Sequence, residues 1–302
     1  MKPFRLFFKI ILVSVILALT GGALFFRLRP PFLIVTDPSI SLLYGAERTR
    51  LKHIELSIKF FRRVMFVFVS ESAAPEIVAA AVESVYAAPG AVLFPELYNE
   101  GARRYHAQNP ETPVIILESR RFNLSDSTQE SEGLYFIRPD TETDLFKAGI
   151  SAAFLADNSR ILVIYDRILA PEFRAAFENG LKTMGFFGDV DYIEAQNEHI
   201  VWENYSCAVL LGTAAYFLEQ NNRIPAILFS WINPEITPVN IKVIFNDSPW
   251  ILAGKAPDTI KNKGIFPDTE IIIPRGRISE GAALLRRQLR RTQSIGNGLG
   301  DL

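Results

Sequence analysis

The chain has 302 residues, 49% of them hydrophobic and 22% charged. That is close to ordinary globular usage and excludes a disordered chain, a collagen-like chain and a multi-span membrane protein. With 32 Lys and Arg against 33 Asp and Glu, the net charge is −1, so no overall basic field invites nucleic acid. The one cysteine, Cys207, excludes an intramolecular disulfide and a cysteine-based zinc cluster.

Lys2, Arg5 and Lys9 precede an apolar run over residues 10–26, interrupted by Ser14, Thr20, Gly21 and Gly22 and followed by Arg27, Arg29 and Pro30-Pro31. Such a run is near the lower length limit for crossing a bilayer as a helix. The cations ahead of it favour a cytoplasmic N-terminus with the rest of the chain outside. Gly21-Gly22-Ala23 offers small residues of the kind found at cleavage sites, but apolar Leu24-Phe25-Phe26 follows directly, and no cysteine stands there for a lipid. Residues 1–30 are read as a signal anchor, with a cleaved signal peptide as the alternative. The expected location is periplasmic or otherwise extracytoplasmic, tethered to the inner membrane if the segment is retained.

Strands and helices then alternate. Residues 32–36 (FLIVT) form a doubly buried strand, ended by Asp37-Pro38. Over 42–62, Leu51, Ile54, Ile58 and Phe61 recur at spacings of three and four, with Lys52, Glu55, Lys59 and Arg62 on the polar face; that periodicity predicts a helix. Strands follow at 64–69, 91–94 and 114–117, separated by helices over 75–86 and 97–107. Strands joined by single helices run parallel within one sheet. Residues 120–133 are polar and without apolar period, and read as a loop or linker.

A second series begins with a helix over 141–156 whose apolar face is Leu145, Ala148, Gly149, Ala152 and Ala156. A strand at 161–165 and a helix over 171–184, facing inward through Phe173, Phe177, Leu181 and Met184, come next. Strands are expected at 190–193, 208–211, 226–229, 241–245 and 270–273, with helices over 214–220 and 279–291. The fold class is α/β: two doubly wound parallel-sheet lobes with an interlobe cleft, preceded by a hydrophobic helix. The divisions expected are an N-terminal lobe plus linker (31–133), a C-terminal lobe (134–245), and a return crossing with the last strand and helix (246–302).

This layout resembles the type I periplasmic-binding-protein superfamily of sugar and nucleoside receptors and repressor cores. FLIVTD opens the domain, VFVSES and LFPELY end strands at the presumed cleft, and PVIILES leads out of the first lobe. RPDTETDLFKAGISAAFLADNSRILVIYD resembles the family's entry into its second lobe, and EFRAAFENGLKTMG its next helix. The resemblance covers roughly residues 32–292. It implies lobes that close on a small ligand and a closed form read by an ABC-type permease.

Independently of any family, ligands of open parallel sheets bind beyond the carboxyl ends of the strands. The candidates there are Asp37, Ser39, Ser70, Glu71, Glu96, Tyr98 and Glu118 in the first half. In the second they are Tyr165, Asp166, Ser230, Trp231, Asn246 and Asp247. Carboxylates and amides exchange hydrogen bonds with hydroxyls, and aromatic faces stack on a sugar or base. Asp and Ser after strands also cap helices, and Trp231 also fits a core position.

No G-x-S-x-G elbow, phosphate loop or dinucleotide fingerprint occurs. His53, His106 and His199 are scattered, with no metal-ligand spacing. The chain is read as no enzyme, without cofactor or metal. Arg286, Arg287, Arg290 and Arg291 cluster in the last helix, where cations offset the helix dipole or meet anionic lipid; Arg103-Arg104 and Arg120-Arg121 read as exposed pairs. The leading functional reading is capture of a small polar solute for a membrane permease. The alternative is a membrane-anchored envelope sensor or interaction protein on the same scaffold, and an extracytoplasmic hydrolase is a distant third.

Overall fold

The computed structural model describes residues 2–122, 132–166, 168–195, 200–212, 223–230, 237–246, 248–262, 269–278 and 281–296. The helix expected over 214–220, most of the polar linker, His199, Trp231, Asp247 and nearly all of the glycine-rich stretch 296–300 lie outside them. Contacts divide the chain into two compact units. The first comprises Met1–Leu42, Ala46–Ile116 and Ser131–Tyr135, and the second Leu43–Gly45, Leu117–Glu130 and Phe136–Leu302.

Helix α1 (Lys2–Leu28) contains the apolar run, and 18 residues of it, Ile11–Leu28, are long and apolar enough to cross a membrane, with none of that window buried. Five strands follow in the first sheet: β1 (Phe32–Thr36), β2 (Val64–Phe68), β3 (Ala91–Pro95), β4 (Val114–Leu117) and β5 (Leu134–Ile137), in the order β2-β1-β3-β4-β5. β1 pairs in parallel with β2, Phe32 against Val64 and Thr36 against Phe68, and with β3 on its other edge. Val114 N–H donates to Gly133 O and Glu118 N–H to Ile137 O. These bonds advance in the same direction along both strands, so β5 also runs parallel. β1, β3 and β4 are buried at every position, as strands covered on both faces must be.

Between them lie α2 (Pro38–Tyr44), α3 (Ala46–Phe60), α4 (Pro75–Val85) and, after a 3₁₀ turn at Glu96–Tyr98, α5 (Asn99–Gln108). The single helix expected over 42–62 is therefore two. Gly45, at φ 99°, breaks the run, a left-handed conformation that glycine adopts without a Cβ clash. The face expected to be covered is also the exposed one: Leu51, Ile54 and Ile58 face outward, while Thr49, Leu56 and Phe60 are buried. Residues 134–137 extend the first sheet beside β4, while contacts group Leu134 and Tyr135 with the first unit and Phe136 and Ile137 with the second. Among the described residues no helix separates β4 from β5, and four apolar residues do not declare which sheet they extend.

The second sheet has the order β11-β10-β9-β8-β6-β7. Its strands are β6 (Ile161–Tyr165), β7 (Val190–Glu194), β8 (Cys207–Leu210), β9 (Ala226–Phe229), β10 (Ile241–Asn246) and β11 (Glu270–Ile272), and its helices α6 (Thr141–Ala156), α7 (Pro171–Thr183), α8 (Pro249–Ala253), α9 (Ala256–Asn262) and α10 (Ala282–Gly296). β11 runs antiparallel to β10, and the other described pairings are parallel. Residues 246–302 cluster with this unit, and β11 pairs antiparallel with β10.

Asp140 opens α6, accepting from Thr143 N–H at 3.0 Å and the Thr143 hydroxyl at 2.7 Å, a side-chain cap of the kind that satisfies an orphan first-turn donor. α6 and α7 touch backbone to backbone. A Cβ on Gly149 would come 2.1 Å from Phe177 O, and one on Gly180 would come 2.0 Å from Phe146 O. The small residues read in the sequence are thus required by that approach.

Candidate functional site

In the first unit the carboxyl ends of β2, β1 and β3 are neighbours, which gathers six of the predicted residues. Asp37, directly after β1, is fully buried. Its Oδ1 accepts the Ile40 N–H at 3.0 Å and the Ser39 hydroxyl, and its Oδ2 accepts the Tyr98 hydroxyl at 3.0 Å. Tyr98 comes from the 3₁₀ turn after β3, 61 residues later in the chain. Burial pushes its phenol pKa up, and the bond to Asp37 adds to the rise. Ser70 and Glu71 are exposed after β2, and Glu96 is half-buried after β3. Asp37 therefore caps α2 and anchors Tyr98, while Ser70 and Glu71 face solvent.

In the second unit Glu118, 2% exposed, accepts from Arg138 Nε at 2.8 Å and Arg121 Nη2 at 3.3 Å. Asn246, the last residue of β10, donates to Glu270 Oε2 at 3.1 Å and accepts the Ser248 N–H at 3.2 Å; Ser248 in turn caps α8 by accepting from Ile251 N–H at 3.3 Å. Tyr165 is half-buried and Asp166 exposed at the end of β6, and Ser230 is half-buried after β9. Gly212, after β8, has φ 62°. The nearest described side chains to a Cβ there would be Phe122 at 3.6 Å and Asp166 at 4.0 Å.

Sequence reasoning missed a buried ion pair. Arg120, read as part of an exposed pair, has a side chain only 3% exposed. Its Nη2 lies 2.8 Å from Asp144 Oδ2, an oxygen that also accepts from the Thr269 hydroxyl at 2.7 Å. The guanidinium carbon sits 4.9 Å from the centroid of Phe229, which stacks on Phe245 at 4.7 Å and meets Phe122 edge-on at 5.9 Å. Burial pushes the Asp144 carboxyl pKa up, opposed by the Arg120 charge and the Thr269 hydroxyl. One signal was available. Asp144 is one and two helical repeats from Ala148 and Ala152 on the face assigned to the core, and a carboxylate there needs a cationic partner. Which cation supplies it, 24 residues upstream, no periodicity tells.

Among the described residues no cluster of three or more His, Cys, Asp or Glu could hold a metal ion. Cys207 is fully buried, which pushes its thiol pKa far up and leaves it inert as a nucleophile.

No protein-family model matches the sequence, and no curated protein does. Solved structures match over most of the chain. One is an ABC transporter solute-binding protein from Aeropyrum pernix K1, with TM-score 0.56 and 11% identity over 89% of this chain and 92% of that one. A transcriptional activator of the comK gene from Bacillus halodurans reaches TM-score 0.60 at 13% identity, over 87% and 95%. The arabinose-binding protein AraP from Geobacillus stearothermophilus reaches 0.54 at 12%, over 82% and 96%. The fold is that of the type I periplasmic binding proteins. Ligands of open parallel sheets bind beyond the strand carboxyl ends, where Asp37, Ser70, Glu71, Glu96 and Glu118 follow strands of the first sheet and Asp166 and Ser230 follow strands of the second.

Proposed function

We propose that the protein is an extracytoplasmic solute-binding protein, held at the membrane by α1, that captures a small polar solute of the sugar or nucleoside class at the carboxyl ends of its parallel strands and presents it to an ABC-type permease. The observation that carries this reading is the likeness in fold to solute-binding proteins over more than four-fifths of both chains. The chemistry is compatible. Ser70, Glu71 and Asp166 are exposed donors and acceptors for hydroxyls, with Glu96, Tyr165, Ser230, Trp231 and Asp247 as further proposed contacts. Asp37, Ser39, Tyr98, Glu118 and Asn246 would act through the network each already belongs to. No catalytic step is proposed.

The test is a thermal-shift panel of pentoses, hexoses and nucleosides on the full chain. Binding to the folded state alone raises the melting temperature, by mass action, for one chemical class. A flat response across the panel contradicts the proposal.

A second reading, a membrane-anchored sensor or interaction protein, is favoured by one observation: Asp37, Glu118 and Asn246, three of the strand-end polar groups, already have intramolecular partners. Under it the panel stays flat while a membrane partner co-purifies with the full chain and is lost when Ser70, Glu71 and Asp166 are replaced.

A further inference from the structure

We propose that α3 lies on the bilayer surface, with Leu51, Ile54, Ile58 and Phe61 seated at the boundary between headgroups and acyl chains. Spacings of three, four and three put these residues on one face. They are 60%, 47%, 72% and 49% exposed, whereas Leu56 and Phe60 on the opposite face are buried against the core. A contiguous apolar face open to water marks a contact.

The occupant follows from what touches the end of the stripe. Phe61 closes α3 in the left-handed conformation, φ 48°. Arg62 N–H donates to Ser57 O at 3.3 Å and Phe61 N–H to Ile58 O at 3.1 Å. This is the bonding of a Schellman cap, whose left-handed position usually holds glycine. A phenylalanine accepts that backbone cost here with its ring 6.1 Å from Phe25 and 6.0 Å from Phe26. Both belong to the candidate span Ile11–Leu28, two and three residues from its end.

If that helix crosses a bilayer, Phe61 is at the membrane–water boundary, and the stripe continues from it along α3. Arg29 lies over the Phe25 ring at 5.1 Å. Helical periodicity sets Arg50 on one side of the stripe and Arg48 and Lys59 on the other, with Glu47 a turn ahead of it and Glu55 beside it, bonded to Lys52 at 2.8 Å. Apolar side chains bordered by cations are the composition of interfacial helices, which gain from both acyl contact and anionic headgroups. A second copy of the chain would explain the open face but not its continuity with the span.

The inference rests on the retained-anchor part of the reading above, and the experiment separates the two. Leu17→Cys, Ile58→Cys and, as a control on α5, Glu100→Cys variants of the full chain are labelled with an environment-sensitive fluorophore; buried Cys207 does not compete. They are reconstituted in phosphatidylcholine–phosphatidylglycerol vesicles carrying doxyl-labelled lipid. The proposal expects quenching at 17 and 58, severalfold above that at 100. Quenching at 17 but not at 58 overturns the α3 contact and leaves the anchor standing. Quenching at neither overturns both, and quenching at 58 alone supports the contact while removing the anchor. An Ile58→Cys disulfide between copies with no lipid quenching assigns the face to a second chain and overturns the proposal.

Discussion

Helices α3 and α7 carry the same kind of sequence pattern and end in opposite environments. In α7, Phe177 and Leu181 are buried, and Phe173 packs against the core beside them. In α3, Leu51, Ile54 and Ile58 recur at equivalent spacing and point outward, while a less obvious face with Thr49, Leu56 and Phe60 goes in. Periodicity states that a face wants to leave water; it does not state what covers it. α7 is covered by α6, to the point of backbone contact at Gly149 and Gly180. That face of α3 stays exposed, and lipid beside α1 is the cover proposed for it.

Substitutions sharpen this contrast. The largest effect is expected where the second unit encloses its charges. Arg120→Met leaves fully buried Asp144 with the Thr269 hydroxyl and the Lys147 charge but no ion-pair partner in contact, and removing one partner of such a pair costs about 3–5 kcal/mol. A urea unfolding series would show it, with Arg120→Met plus Asp144→Leu recovering most of the loss. Acid also helps the single variant. The raised Asp144 pKa means that the folded state holds the proton more tightly than the unfolded chain. Its stability therefore rises as pH falls toward the ordinary value of 3.8, a trend that an added Asp144→Asn abolishes.

Next comes the α6–α7 contact. Gly149→Ala places a Cβ 2.1 Å from Phe177 O, and forcing such helices apart costs about 1–3 kcal/mol, read as a drop in urea midpoint.

A smaller loss, about 1–2 kcal/mol, is expected from Tyr98→Phe, which takes the phenol donor from Asp37. Because burial and Asp37 raise the Tyr98 pKa, its stabilisation is complete below the ordinary value of 10.0 and is lost as pH rises above it. The Phe variant should lack that alkaline slope. The smallest effect breaks the comparison if it fails: Ile58→Ser should change unfolding stability by no more than about 0.5 kcal/mol, because the side chain is 72% exposed. The equivalent change at Phe177 should be severe.

Much of the fold was legible because β1, β3, β4, β8 and β9 are buried at every position. FLIVT, AVLFP and VIIL admit few other readings, and Pro75 and Pro171 mark helix starts. What escaped depends on contacts far apart in the chain. The pairing of residues 134–137 with β4, and the antiparallel pairing of β11 with β10, are invisible until their hydrogen bonds are seen. The strand-end rule brought Asp37, Ser39, Ser70, Glu71, Glu96 and Tyr98 to adjacent strand ends in the first unit. It passed over Arg120, because two adjacent arginines look solvated until Asp144 and Thr269, 24 and 149 residues away, close on one of them.

The most direct test of a solute-receptor role is a calorimetric titration of the reconstituted full chain with pentoses, hexoses and nucleosides. The account predicts saturable binding at one site per chain for a single class, weakened by replacing Glu71 and Asp166 together. An absence of heat with every class, while Tyr98→Phe still lowers stability as expected, would show a correctly folded protein that binds none of them and would contradict the claim.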